Sequence, residues 1–233
     1  MPCTLPAALA DAAVCRGSFH AVLRTDVPDA VFAAFSAALQ KAQADGSLLT
    51  ASLFRCETHL FFYAEGLNRP FTPQGLCPAL DAALLPWPPA LGEALPRPWA
   101  AMQPYFYHDV PTTAADWQQG RCPQRRRGRI ALLPPDKWCS YMEHHLRIVT
   151  EGLVEGDRWH LICVQEGVLF SYLEEPRINV NIRHQPGAHS PELDAWIAAD
   201  PESHFARFTP EQKAHPDSGH NFVFLPRIAG TED

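Results

Sequence analysis

No apolar run in the sequence approaches the roughly 20 residues of a membrane-spanning helix. Its start carries no basic segment followed by an apolar core, so a secretory leader is not expected. No C-x-x-C occurs either. The seven cysteines (Cys3, Cys15, Cys56, Cys77, Cys122, Cys139 and Cys163) are odd in number and scattered. That argues against a disulfide framework or a cysteine zinc site, and for reduced thiols in a cytoplasmic protein. Walker, G-x-G-x-x-G, G-x-S-x-G and H-E-x-x-H motifs are all missing, which weakens nucleotide, serine-hydrolase and zinc-hydrolase readings. Positive charge is also in deficit. With 19 Lys and Arg against 26 Asp and Glu, the net charge is −7, so neither nucleic acid nor a membrane surface is an expected partner. The local exception is Arg121, Arg125, Arg126, Arg127 and Arg129 around Gly128, read as a solvated linker or alternatively an anion site.

What is present is a globular composition, 46% apolar and 19% charged, over 233 residues. That is enough for one large domain or two ordinary ones. The second option is favoured by an internal repeat. In the first half, Phe19–Arg24 reads as a strand. A helix opened by Asp26 and Pro28 follows, with apolar positions Val31, Phe35, Ala38 and Ala42, closed by Asp45-Gly46. Leu48–Phe54 and His59–Ala64 form a strand pair, and Leu76–Leu85 and Tyr105–His108 supply a second helix and closing strand. The second half repeats this order with Arg129–Leu133, a helix from Pro134-Pro135-Asp136, Trp159–Val164, Val168–Leu173, Leu193–Phe208 and Asn221–Leu225.

Leu60-Phe-Phe-Tyr-Ala-Glu65 aligns without a gap on Leu169-Phe-Ser-Tyr-Leu-Glu174, and the same offset sets Phe32 on Tyr141. The order β-α-β-β-α-β is the split-βαβ arrangement. The expected fold is therefore α+β: tandem ferredoxin-like units forming an intramolecular dimeric α+β barrel. The expected boundaries are 17–112 for a structural N-terminal unit, 113–128 for an arginine-rich linker, and 129–233 for the C-terminal unit.

The chemistry concentrates in the second half. Tyr141 and His145 are four apart on a predicted helix and so share a face. A histidine beside a tyrosine is a workable proton-transfer pair near neutral pH, although such pairs also arise freely in amphipathic cores. The first copy has Phe32 and Ser36 at these positions. Histidines 144, 145, 184, 189, 204, 215 and 220 raise a metal site, but their spacing fits no ligand motif.

Tyr141-x-x-x-His145, Ile148 and Glu151, the strand Leu169–Glu174, Trp196 and Pro216-Asp217 together resemble the L-rhamnose mutarotase family. The resemblance covers Arg129 to Ile228. The family's Arg-His is His144-His145 here, its Trp-Pro is Val149-Thr150, and Arg177–Pro191 looks like an insertion. The resemblance implies an isomerase interconverting aldose anomers by acid–base ring opening. His145 would carry the proton and Tyr141 would orient the sugar, with Trp196, His204, Phe205 and Tyr172 binding it. It also implies a monosaccharide as the small-molecule partner, no metal or redox cofactor, and either an internal pseudo-dimer or a homodimer. Trp159, on a predicted strand, reads as core. Two other readings stay open: a non-catalytic binding or interaction protein on the same scaffold, and a cofactor-free monooxygenase or haem-handling relative.

Overall fold

The structure is a computed structural model that describes residues 7–177, 183–184, 187–212 and 218–231. Cys3, His215, Pro216-Asp217 and much of the expected 177–191 insertion lie outside the described residues, as does the side chain of His184. Along the chain run β1 (Val14–Val22), α1 (Asp29–Ala44), β2 (Leu48–Cys56), β3 (His59–Leu67), α2 (Pro78–Ala82) and β4 (Ala100–Ala101). Then come β5 (Gln103–Tyr107), α3 (Ala114–Gln118), β6 (Arg125–Leu132), α4 (Pro135–Glu151), β7 (Val154–Glu155), β8 (Leu161–Gln165) and β9 (Val168–Glu175). The chain continues through β10 (Arg183–His184), α5 (Pro191–Ala198), a 3-10 turn at Pro201–His204, β11 (Val223–Leu225) and β12 (Arg227–Gly230).

The chain divides into two compact units, each around one five-stranded sheet. The first has strand order β12-β2-β3-β1-β4 and the second β11-β6-β9-β8-β5, with antiparallel pairing throughout. Four strands in each sheet follow the ferredoxin-like order, so the tandem α+β units expected from the repeat are both present. The fifth strand of each sheet comes from the other half of the sequence. Tyr105 and its neighbours in β5 close the second sheet rather than the first, whose fourth strand is the short β4. Likewise β12, one residue beyond β11, pairs with β2.

The expected linker 113–128 is not a linker throughout. Thr113 caps α3, its hydroxyl accepting from the Asp116 amide, and Arg125–Arg127 already belong to β6. The helices expected at Leu76–Leu85 and Leu193–Phe208 are shorter, ending at Ala82 and Ala198. Proline accounts for the first, since Pro86, Pro88 and Pro89 offer no amide to continue a helix.

Strand alternation sorts each sheet into two faces. In the first unit Leu60, Phe62 and Ala64 join Phe32, Phe35 and Leu39 of α1 in one apolar core. In the second, Leu169 of β9 joins Tyr141 and Ile148 of α4. Pro134 and Pro135 start α4, and Gly152 ends it in the left-handed conformation at φ 68°, its amide donating to the Ile148 carbonyl.

The face of β3 turned away from α1 carries a buried ionic pin. Glu65 is fully buried and accepts from Arg16 Nε at 3.0 Å, from the Tyr63 hydroxyl at 2.6 Å and from Trp117 Nε1 of α3. Burial pushes the Glu65 pKa up. Arg16, Arg121 and the hydrogen bonds from Tyr63 and Trp117 outweigh it, and the net shift is downward. The second unit repeats part of this, with the Tyr172 hydroxyl donating to Glu174 at 2.7 Å and Arg126 facing it at 4.0 Å.

A carboxylate with a lowered folded pKa contributes stability above the unfolded value near 4.3, and that contribution is lost as pH falls through the folded value. Glu65→Ala is therefore expected to cost about 3–5 kcal/mol at pH 7, because it removes the carboxylate from a buried ion pair with Arg16. In thermal unfolding the gap to wild type should narrow below pH 4; a gap independent of pH contradicts this.

Candidate functional site

The site is built where the helix face of the second sheet meets α4. Tyr141 and His145 emerge one turn apart on α4, both buried, with ring centroids 4.1 Å apart. α5 adds Trp196, whose ring is 5.2 Å from Tyr141 and 4.8 Å from His145. The 3-10 turn after α5 delivers His204, 4.9 Å from Trp196, and the next residue, Phe205, stands 5.2 Å from Tyr141. Five of the six residues expected at the site are thus gathered in one aromatic cluster. Tyr172 is not among them. It points to the opposite face of the sheet, where it bonds Glu174.

Four residues missed in the sequence complete the cluster. From β5 come Tyr105, 5.9 Å from Tyr141, and Phe106, 5.4 Å from His145. From β6 comes Arg129, its guanidinium carbon 4.3 Å above the Phe222 ring, which itself lies 4.9 Å from Phe205. Arg129, Phe205 and Phe222 are only partly buried, so the cluster reaches solvent on that side.

The ladder registers place the two units residue on residue. Arg129 pairs with Ser171 in the second sheet where Phe19 pairs with Phe62 in the first. Tyr105 sits in the bulge between Pro104 and Phe106, and Ile228 sits in the matching bulge between Arg227 and Ala229. With Phe32 and Ser36 answering to Tyr141 and His145, the set Ile228, Phe19, Phe62, Phe32 and Ser36 becomes Tyr105, Arg129, Ser171, Tyr141 and His145. In the first unit Phe19, Phe32, Phe62 and Ile228 are ordinary core fill. Buried polar groups need compensation that apolar fill does not, so core packing alone does not account for the exchange.

Electrostatics define what each group can do. The His145 Nδ1 lies 2.8 Å from the Tyr141 carbonyl oxygen. A carbonyl only accepts, so Nδ1 carries the proton and Nε2 the lone pair. Burial lowers the His145 pKa to about 4, with a hydrogen bond to the Tyr141 carbonyl opposing and His144 and His204 adding to the fall. Burial raises Tyr141 to about 12, and it raises Tyr105 well above the ordinary phenol range with the nearby Tyr141 hydroxyl adding to it. Arg129 falls to about 10, chiefly through burial and next through Arg177, while Tyr141 and Tyr105 oppose the fall. Near pH 7 the site therefore holds a neutral imidazole, two intact phenols and one cation.

A cavity of about 270 Å³ adjoins the cluster at Phe106 and Ile148, lined further by His108, Val110, Val149 and Val154. A larger open groove of about 800 Å³ runs over the outer face of α4 past Trp138, Met142 and Leu146, and none of the expected site residues lines it. Among the described residues no three His, Cys, Asp or Glu side chains are placed to hold a metal ion. Among them, too, no helix is long and apolar enough to cross a membrane.

No family model and no curated protein matches the chain. Solved structures similar to it include two putative monooxygenases. One, FN1347 from Fusobacterium nucleatum subsp. nucleatum ATCC 25586, is 10% identical with a TM-score of 0.44, covering 94% of each chain. The other, from Lactobacillus acidophilus NCFM, is 6% identical with a TM-score of 0.35, covering 94% of this chain and 96% of that one. An anthrone oxidase-like protein is 8% identical with a TM-score of 0.38, covering 93% and 95%. The mutarotase resemblance is corrected by these matches, none of which is a mutarotase. With it go the isomerase activity, the monosaccharide and a place in carbohydrate metabolism. The site agrees with that correction. An imidazole with a pKa near 4, walled by Tyr105, Phe106 and Trp196, is poorly matched to acid–base work on a sugar at neutral pH.

His145 also makes the fold acid-sensitive. Its folded pKa lies below the unfolded value of about 6.5, so the unfolded chain binds the extra proton, and stability falls as pH drops from about 6.5 to about 4, by about 3 kcal/mol in all. His145→Phe should flatten that part of the stability–pH curve in denaturant titrations. An unchanged slope would show that the ring is not buried in its neutral form.

Proposed function

We propose that the C-terminal unit is an enzyme unit that binds a planar aromatic small molecule between α4 and the sheet and oxidises it with dioxygen, and that the N-terminal unit is its structural copy. The observation that carries the binding part is the five-position exchange, in which four apolar core positions and Ser36 of one unit are replaced by Tyr105, Arg129, Ser171, Tyr141 and His145 in the other. The wall of Tyr141, Trp196, Phe205 and Phe222 suits a flat ring, because aromatic faces and edges offset-stack at the distances found here. For the reaction class we take the one that the names of the similar structures give, oxygenase or oxidase, as the reading to test.

In this reading Tyr141 and Trp196 hold the ring, Phe205 and Phe222 cover its outer side, and His204 steadies Trp196. His145, neutral at pH 7, positions Tyr141 and offers Nε2 as an acceptor.

The test is calorimetric titration with hydroxylated naphthalenes and anthracenes, alongside oxygen consumption measured by electrode. Tyr141→Leu should weaken binding at least tenfold, about 1.4 kcal/mol. Ser36→Ala, at the first-unit position that answers to His145, should leave it unchanged. Binding without oxygen uptake would reject the oxidase part and favour a non-catalytic binding protein. No binding across the panel would reject the whole proposal.

A further inference from the structure

The arginines of the second unit are not alike. Arg127 Nη1 bonds Glu175 Oε1 at 2.9 Å, Arg126 faces Glu174 at 4.0 Å, and Arg177 faces Asp157 at 3.8 Å. Arg129 has no carboxylate partner among the described residues, and its buried Nε meets no acceptor. The Phe222 ring lies beneath it, and the groups that act on its charge are Arg177 and Arg127, which oppose it, and Tyr141 and Tyr105, which favour it. Tyr105 is itself fully buried, and its hydroxyl has no partner at hydrogen-bonding distance and angle. A guanidinium short of an acceptor and a buried phenol, beside only the Tyr141 hydroxyl, are electrostatically close on the helix face of the sheet. Burying a cation without a counter-charge is unfavourable, and an incoming anion relieves it while offering the Tyr105 hydroxyl a stronger acceptor.

We propose that Arg129, with the Tyr105 hydroxyl, receives an ionised oxygen of the aromatic ligand, a phenolate, enolate or carboxylate. This deepens the small-molecule reading above and rests on it. The Phe222 ring covers one face of the guanidinium and leaves its N–H edge as the donor side, the geometry through which arginine engages oxyanions. Tyr141, which keeps its proton, borders the same point and supplies the ring face against which the ligand body lies. The first unit has no such point. Phe19 and Ile228 occupy the matching positions.

The test uses the full chain and three probes of one shape: 4-nitrophenol, 4-nitrobenzoate and 4-nitroanisole. The nitrophenol anion absorbs at longer wavelength than the acid, so a pH titration in the bound state reads the probe's pKa directly. Wild type should lower that pKa by about one unit or more, meaning at least tenfold preference for the anion. Whichever of 4-nitrophenol and 4-nitrobenzoate binds more tightly assigns the oxyanion as phenolic or carboxylic.

Arg129→Gln should abolish the shift while 4-nitroanisole, which cannot ionise, keeps its affinity and so reports an intact site. Tyr105→Phe should reduce the shift in part. An unshifted pKa in wild type, or a shift that survives Arg129→Gln, overturns the inference and leaves the small-molecule reading standing. Failure of all three probes to bind, nitroanisole included, overturns that reading and this inference together.

Discussion

The ladder between β5 and β8 is the contact on which the candidate site depends. It brings Gln103–Tyr107, which follow the fourth strand of the first sheet by a single residue, into the edge of the second. Without it the second unit would have neither Tyr105 nor Phe106, and α4 would face a sheet without these two rings. The bulge at Tyr105 then turns that side chain to the helix face, where it meets Tyr141. The reciprocal ladder, β12 on β2, does the same for the first unit but supplies Ile228 and Ala229, so that one exchange completes a site and the other only a core.

Equivalent scaffolds make the difference between the units informative. Strand order, bulges and the Tyr–Glu pairs on the faces turned away from α1 and α4 correspond, so the two cores had the same packing problem to solve. The first solves it with phenylalanine and aliphatic side chains. The second accepts a buried imidazole whose pKa is held near 4, two phenols and a guanidinium, each costly to remove from water. Such groups in one cluster point to a site more than to a fold requirement.

Much of the architecture was legible from the chain. The gapless match of Leu60–Glu65 to Leu169–Glu174 located the third strand of each unit, and the offset set Phe32 on Tyr141. The cluster of Tyr141, His145, Trp196, His204 and Phe205 was also legible, since helical spacing and proximity in sequence brought those residues together. Tyr172 was misplaced because aromatic character does not reveal which sheet face a strand residue occupies, although strict alternation from Leu169 would have set it opposite. Tyr105 was hidden by the strand exchange, which no local pattern encodes. Arg129 was hidden by its company: among five arginines around Gly128 it reads as part of a solvated run, and only the pairing of β6 with β9 sets it beside Ser171, on the face that carries Ala131 and Leu169 toward α4. Comparing the halves position by position would have shown Ser171 against Phe62, the one polar break in an otherwise matching strand.

The central claim is that ligand binding belongs to the second unit and is foreign to the first. Protein-observed NMR with a hydroxylated naphthalene tests it most directly, following amide and aromatic resonances of both copies in one titration. The account predicts saturable shifts at Tyr105, Arg129, Tyr141, Ser171 and Trp196, with Phe19, Phe32, Phe62 and Ile228 unmoved. Equal shifts in both units, or shifts confined to the first, would contradict it.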